Sequence, residues 1–146
     1  MKDVNYPLRK AYMAVLDGHV SVDAVNVPVY YLQAPDDETA KAYITLNQVS
    51  NVDAKTKNSS DTNTSMQAQI HTWDDNGNAG KMADDIAGVV FDKIYPDTQA
   101  VLDMSADNLN IVSTVLDGDQ VNEITDHGNR VFVTRILTFR HNIYHK

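Results

Sequence analysis

The sequence predicts an α+β fold, a two-layer sandwich in which a mostly antiparallel sheet of about five strands carries two amphipathic helices on one face. Three observations support this prediction. Two segments repeat apolar residues at the helical period, five segments are rich in β-branched and aromatic residues, and most links between strands are of hairpin length. The 146 residues contain neither an internal repeat nor a linker, so we expect residues 1–146 to form one domain.

The two helices are predicted at 6–17 and 78–94. In the first, Asn5 is the expected N-cap and Asp17-Gly18 the stop, and residues 19–27 form a linking loop. The second has the clearest amphipathic pattern of the chain. It ends at Tyr95-Pro96, because the residue before a proline is pushed out of the α region.

The strands are predicted at 27–32, 42–52, 66–73, 109–116 and 130–144. Pro28 indicates an edge strand or a strand start. The polar stretch 53–64 is interpreted as an exposed loop or hairpin tip, and 117–129 as a polar loop. The last strand has apolar residues on both faces, so one face is expected to pack on the helices and the other to be covered by a partner subunit.

Composition excludes several classes of protein. The chain is 42% hydrophobic and 22% charged, which is typical of globular proteins and not of disordered, collagen-like or coiled-coil chains. The absence of Cys excludes disulfides and thiolate sites and suits a reducing cytoplasm. No apolar run has the roughly 20 residues of a membrane helix, and the first residues lack a signal-peptide pattern. The net charge of −8 argues against nucleic-acid binding by charge neutralisation.

No segment carries a complete chemical motif. Gly77 to Met82 is similar to a phosphate-binding loop, but it lacks the first glycine and the Ser or Thr after Lys81. Asp117 to Glu123 has the acidic density of a calcium loop without the required glycine. The histidines show no close ligand spacing on a helix, and no nucleophile elbow occurs. We therefore predict no catalytic residue, no metal ligand and no cofactor.

The order of elements and four segments resemble the tail-completion, or tail-terminator, proteins of tailed bacteriophages. These segments are Val-Pro-Val-Tyr-Tyr-Leu at 27–32, Ile-His-Thr-Trp at 70–73, Lys-Met-Ala-Asp-Asp-Ile-Ala at 81–87 and the closing strand Val-Phe-Val-Thr-Arg-Ile-Leu-Thr-Phe-Arg at 131–140. The resemblance covers nearly the whole chain. The chain departs from the family in its longer 53–64 tip and 117–129 loop.

The resemblance implies a non-enzymatic virion structural protein, assembled in the host cytoplasm. It would form a homo-oligomeric ring in the phage neck, as a head–tail connector or tail-completion (terminator) subunit around the DNA channel. Its partners would be copies of itself and other neck, portal or tail proteins. DNA would pass without specific binding, and no membrane would be involved.

Two sets of residues follow from this expectation. The subunit interface is assigned to the 42–73 hairpin and the strand 130–144, with Lys55, Lys57, Trp73, Phe132, Ile136, Phe139, Ile143 and Tyr144 as candidates. Acidic residues facing the channel would repel DNA phosphates. The candidates are Asp36, Asp37, Glu38, Asp117, Asp119 and Glu123.

A second hypothesis belongs to another class of protein. A small α+β enzyme or ligand-binding protein would have a pocket between the sheet and the helices. A deep pocket with convergent polar groups and a perturbed carboxylate or His would favour it, whereas a flat sheet with uncovered apolar surface would favour the ring.

Overall fold

The computed structural model of the chain describes residues 3–53, 61–96, 102–125 and 130–145. Its elements in chain order are α1 (Asn5–Leu16), β1 (Ser21–Val22), β2 (Val25–Asn26), β3 (Val29–Tyr31), β4 (Ala42–Asp53), β5 (Asp61–Asp74), α2 (Ala79–Ile94), a 3-10 turn (Ser105–Asp107), β6 (Leu109–Thr125) and β7 (Val131–His145). Neither helix of these ranges has the length and apolar character of a membrane span.

The main sheet has five strands in the order β3-β4-β5-β7-β6. Every neighbouring pair is antiparallel except β3 and β4, which are parallel. The predicted α+β class, with two helices and a mostly antiparallel sheet, is therefore confirmed. The prediction that Pro28 marks an edge is also confirmed, because β3 follows it directly and is the first strand of the sheet.

The strand count exceeds the predicted five, because β1 and β2 form a separate two-stranded hairpin. The prediction of a linking loop at 19–27 was wrong for this reason. Asp23 and Ala24 form the turn with positive φ angles of 50° and 65°. Such a turn usually carries Asn-Gly or Asp-Gly, so the sequence held no turn signal for this hairpin.

One face of the sheet is buried against α2. Along β5 the side chains alternate strictly between buried and half-buried, and the buried set includes Met66, Ala68 and Ile70. Leu137 lies beside Ala68 and Phe139 beside Met66 on the neighbouring strand. The apolar stripe of α2, formed by Ala83, Ile86, Ala87, Val90 and Ile94, packs on these two strands.

Helix α1 completes the core by packing on α2 and β3. Its buried residues are Leu8, Ala11, Tyr12 and Leu16. The predicted N-cap differs, because Asn5 is already the first helical residue and its backbone N–H donates to Asp3 Oδ1 at 3.1 Å. That both helices form one complete layer over the sheet stays a prediction.

Two predicted loops are partly strand. Residues 117–125 continue β6, because Asp117 is accommodated in a β-bulge between Leu116 and Gly118. A bulge inserts one residue without ending the strand. Strand β5 begins at Asp61. The rest of these two predictions, at 54–60 and 126–129, lies outside the described residues.

The first residues of β5 are polar and were therefore predicted as a loop, yet two of their side chains are buried. Thr62 and Thr64 are 3% and 0% exposed. Their hydroxyls hydrogen-bond His145 Nε2 at 2.8 Å and Asn51 Oδ1 at 2.6 Å. A buried hydroxyl with a partner avoids the desolvation cost of an unpaired one.

A buried polar contact joins three elements. His141 on β7 has no exposed surface, and its Nε2 hydrogen-bonds the hydroxyl of Tyr12 on α1. Its Nδ1 lies 2.9 Å from the hydroxyl of Thr114 on β6. Burial lowers the pKa of His141 from 6.5 to about 4 and raises the pKa of Tyr12 well above 10. The imidazole is therefore neutral in the folded chain at neutral pH.

An arginine joins α2 to the outer strand. Arg135 on β7 binds both carboxylate oxygens of Asp119 on β6, at 3.0 and 2.8 Å. Its other terminal nitrogen lies 2.9 Å from Asp84 Oδ1 on α2. Because the Arg135 side chain is only 18% exposed, it is held more firmly than an ordinary surface ion pair.

We expect acid to destabilise the fold through His141. The unfolded histidine takes up a proton near pH 6.5 and the folded one only near pH 4. The free energy of unfolding therefore falls as the pH drops through this window, by roughly 3 kcal/mol from this residue. Burial lowers the pKa of His71 too, so His71 acts in the same direction.

Urea unfolding at neutral pH and at about pH 4.5, within this window, measures the effect. H141Q should be less stable at neutral pH and should lose less stability on acidification. The exposed His19, changed to Gln, is the matched control. An unchanged pH slope in H141Q would show that this buried imidazole does not couple folding to protons.

Arg135→Gln should loosen the outer strand without unfolding the domain. Losing two partly exposed ion pairs costs about 1 kcal/mol, so the β6 amides at 117–125 should exchange hydrogen about fivefold faster. Amide exchange read by mass spectrometry tests this. Lys81→Gln removes a pair with Asp85 inside α2 and should leave β6 unchanged. Equal exchange in both variants would refute the role given to Arg135.

Candidate subunit interface

The face of the sheet turned away from α2 is mainly polar. It carries the alternate residues of β5 and β7, and on these two central strands Gln67, Gln69, Thr134 and Thr138 occupy its middle. This corrects the expectation that β7 has an apolar second face in need of a cover. The apolar run of β7 resolves into a buried set on one face and a set interrupted by Thr, Arg and Asn on the other.

The predicted interface residues are divided between these two faces. Phe139 and Ile143 are fully buried in the core, so neither offers surface to a neighbour in this conformation. Trp73, Phe132, Ile136 and Tyr144 lie on the open face, with Phe132 36% and Tyr144 39% exposed. Lys55 and Lys57 lie outside the described residues.

An aromatic cluster occupies one end of the open face. It consists of Tyr30, Tyr43, His71, Trp73 and Phe132, from four adjacent strands. The rings of Tyr43 and His71 stack at 4.7 Å, and those of Trp73 and Phe132 lie 6.4 Å apart. Aromatic residues concentrated on one surface are typical of interface centres. The sequence analysis assigned Trp73 and Phe132 to an interface, but it did not predict that they lie beside the other three residues.

Charged groups surround this cluster. Lys41 and Arg130 lie over the Trp73 ring at 5.2 and 5.3 Å. Lys41 also pairs with Asp74 at 3.1 Å, which lowers the pKa of that carboxyl. Cations over an aromatic ring are stabilised by its electron-rich face.

The β3–β4 connection is held against the cluster by a carboxylate. Glu38 accepts a hydrogen bond from the Tyr30 hydroxyl and another, at 2.8 Å, from the backbone N–H of Ala40. The bond to Tyr30 lowers the pKa of Glu38 and raises the pKa of Tyr30 to about 12. The loop that carries the acidic candidates is thereby fixed to β3.

A cleft of about 380 Å³ opens beside the cluster, lined among others by Glu38, His71, Trp73 and Arg130. It lies on the open face and not between sheet and helices, where the alternative hypothesis expected a pocket. His71 Nε2 lies 3.0 Å from the hydroxyl of Thr45, a residue that is 4% exposed. Within the described ranges, no three His, Asp or Glu side chains are placed to hold a metal ion.

The six acidic candidates do not share one surface. Asp36, Asp37 and Glu38 belong to the loop after β3, whereas Asp117, Asp119 and Glu123 lie on β6 at the opposite edge. These edges are the first and last of five strands, so they lie four strand spacings, or roughly 20 Å, apart. Asp117 and Asp119 also face arginines of β7, at 3.6 Å from Arg140 and 2.8 Å from Arg135.

Strand β6 is a further exposed feature, which the sequence did not indicate. It is seventeen residues long and is the last strand of the sheet. Helix α2 packs mainly on β5 and β7, which lie further inside the sheet. Four of its apolar side chains are exposed: Val112 by 61%, Val115 by 38%, Val121 by 60% and Ile124 by 67%. The sequence carries no alternating pattern past Asp117-Gly118, because Val121 and Ile124 are three residues apart and lie on opposite faces.

The opposite edge is open as well. Strand β3 pairs only with Ile44–Leu46 of β4. Among the described residues, no strand pairs with 47–53 of β4 on that side, and Val52 there is 57% exposed. Within the part of the chain that the structure describes, the sheet thus ends in unpaired backbone on both sides.

Comparison with known proteins identifies the fold. No family model and no curated protein matches the chain. Among solved structures, the chain is similar to one from the "Virion of native gene transfer agent (GTA) particle". The TM-score is 0.57 at 17% sequence identity, and the match covers 97% of this chain and 91% of that chain. At this identity, the likeness establishes a shared fold over nearly the whole length of both chains.

Proposed function

We propose that this chain is a non-enzymatic structural protein of a virion. In this proposal it is a ring-forming head–tail connector or tail-completion subunit in the neck of a tailed phage or a related particle, and it surrounds the DNA channel. The single observation that carries the proposal is the fold likeness to a gene transfer agent virion chain, which spans both chains almost end to end. It agrees with the tail-completion resemblance found in the sequence.

The surface of the molecule supports an assembling protein. The exposed apolar residues of β6 and the unpaired edges of the sheet are features that partner subunits cover. The aromatic cluster adds Trp and Tyr side chains flanked by Arg, the residue types that dominate binding energy at interfaces. We assign the interface to Trp73, Phe132, Ile136 and Tyr144 and no longer to Phe139 or Ile143.

The acidic residues support a DNA channel in a narrower form than the sequence suggested. Asp36 and Asp37 are exposed in one loop, and Glu123 is exposed on β6 at the other edge. Because a ring turns one region of each subunit inward, only one of these two groups can line the channel. We assign the channel to the Asp36–Asp37 loop, because two neighbouring carboxylates repel phosphate more strongly than one.

Purified particles and purified protein together test the proposal. The chain, tagged and expressed in the particle-producing cell, should co-purify with particles at a constant copy number, and its deletion should leave heads and tails unjoined. The protein alone, at high concentration, should give rings with a central hole in negative stain. Light scattering should give a mass that is a multiple of 16.2 kDa.

A deletion strain also shows which result would contradict the proposal. Particles that assemble, join and deliver DNA normally without the chain would refute a neck role. A deletion strain complemented with the wild-type chain controls for effects on neighbouring genes.

A further inference from the structure

The two open edges of the sheet run in opposite directions. Three antiparallel steps lead from β4 through β5 and β7 to β6, so β6 runs opposite to β4. If a copy of the molecule is turned about an axis roughly along the strands, its β6 meets β4 of the first copy antiparallel. The covered faces of both sheets then lie on the same side, as continuous pairing requires.

Strand β6 lacks the lysine and proline residues that often protect an edge. It contains no Lys, Arg or Pro in its seventeen residues, and its exposed apolar side chains include Val115 and Val121. Two bulges, at Val112 and Asp117, interrupt the strand but leave the run 118–125 regular. An edge of this length with exposed valines is a template for another strand.

Charge distinguishes between the possible partners. Asp117, Asp119 and Glu123 lie along β6, so two β6 strands paired with each other would bring carboxylates together. The open stretch of β4 at 47–52 is Asn, Gln, Val, Ser, Asn and Val, without a charge. A neutral edge accepts the acidic one, whereas a second acidic edge repels it.

We propose that β6 of one copy adds, antiparallel, to residues 47–52 of β4 in the next copy. This inference rests on the proposed ring and names its contact. The two edges differ, so the interface is heterologous, and such an interface closes into a ring when the rotation between copies divides a full turn. The backbone groups of both edges would then be paired, and the exposed valines of β6 would be covered.

Cysteine cross-linking tests the contact, because the chain has no natural Cys. Ser50 lies on the open face of β4, and Ser113, Val115, Gln120 and Asn122 lie on the open face of β6. Each β6 position is changed to Cys singly and mixed with Ser50→Cys at high protein concentration under mild oxidation. At least one mixture should give a disulfide dimer, and that pair identifies the register.

The same two substitutions in one chain should give a ladder of multimers that ends at the ring size. Asp92→Cys, on the exposed side of α2, is the control and should not cross-link with Ser50→Cys. Rings without any β4–β6 cross-link would overturn this inference while leaving the proposed function in place. Dimers of a single β6 Cys variant with itself, or a monomer that never cross-links, would overturn it as well.

A charge placed on the edge gives a second measurement. I124K, at a position that is 67% exposed, should weaken self-association by about tenfold or more, because a lysine on an edge strand opposes the addition of another strand. The matched control is V25K on the β1–β2 hairpin, where Val25 is 68% exposed and the charge change is the same. Both variants should keep the wild-type melting temperature. Equal self-association of the two would overturn the edge contact.

Discussion

The packing of α2 on β5 and β7 is the constraint on which the rest of the structure depends. It is fixed where β5 turns into the helix. The Thr72 hydroxyl donates to the carbonyl of Ala79 at 2.8 Å, and the backbone N–H of Asn78 donates to Asp74 at 3.2 Å. Lys41 holds the other oxygen of Asp74 from the start of β4. With this corner fixed, the 3.6-residue stripe of α2 and the two-residue alternation of the strands bury the same apolar set.

A helix about 10 Å wide covers roughly two strands, because strands lie about 4.8 Å apart. The five-stranded sheet is therefore wider than its central helix. On the β3 side, α1 fills part of the difference by packing on β3 and α2. On the β6 side, Arg135 binds Asp119 of β6 and Asp84 of α2. These two ion pairs join β6 to α2 where apolar contacts do not.

The sequence was informative wherever an element was determined by its own residues. Helix α2 was predicted within one residue at each end, the alternation within 66–73 agrees with β5, and Pro28 marked the edge strand. The sequence failed where the decisive partner is remote. Thr62 reads as a loop residue until His145, 83 positions away, satisfies its hydroxyl. The extension of β6 past Gly118 likewise depends on pairing with β7 and not on its own polar residues.

The candidate interface shows the same division. The apolar residues of β7 predicted that one face of this strand packs on the helices and that the other contacts a partner. Only the register with β5 decides which side chains point to α2 and which to solvent. The open face is polar, because Gln and Thr side chains occupy its middle. A polar face of this kind contributes little driving force for association. In the proposed ring, affinity and direction would therefore come from the edges of the sheet and the aromatic cluster, and edges of opposite direction would favour ordered rings over random aggregates.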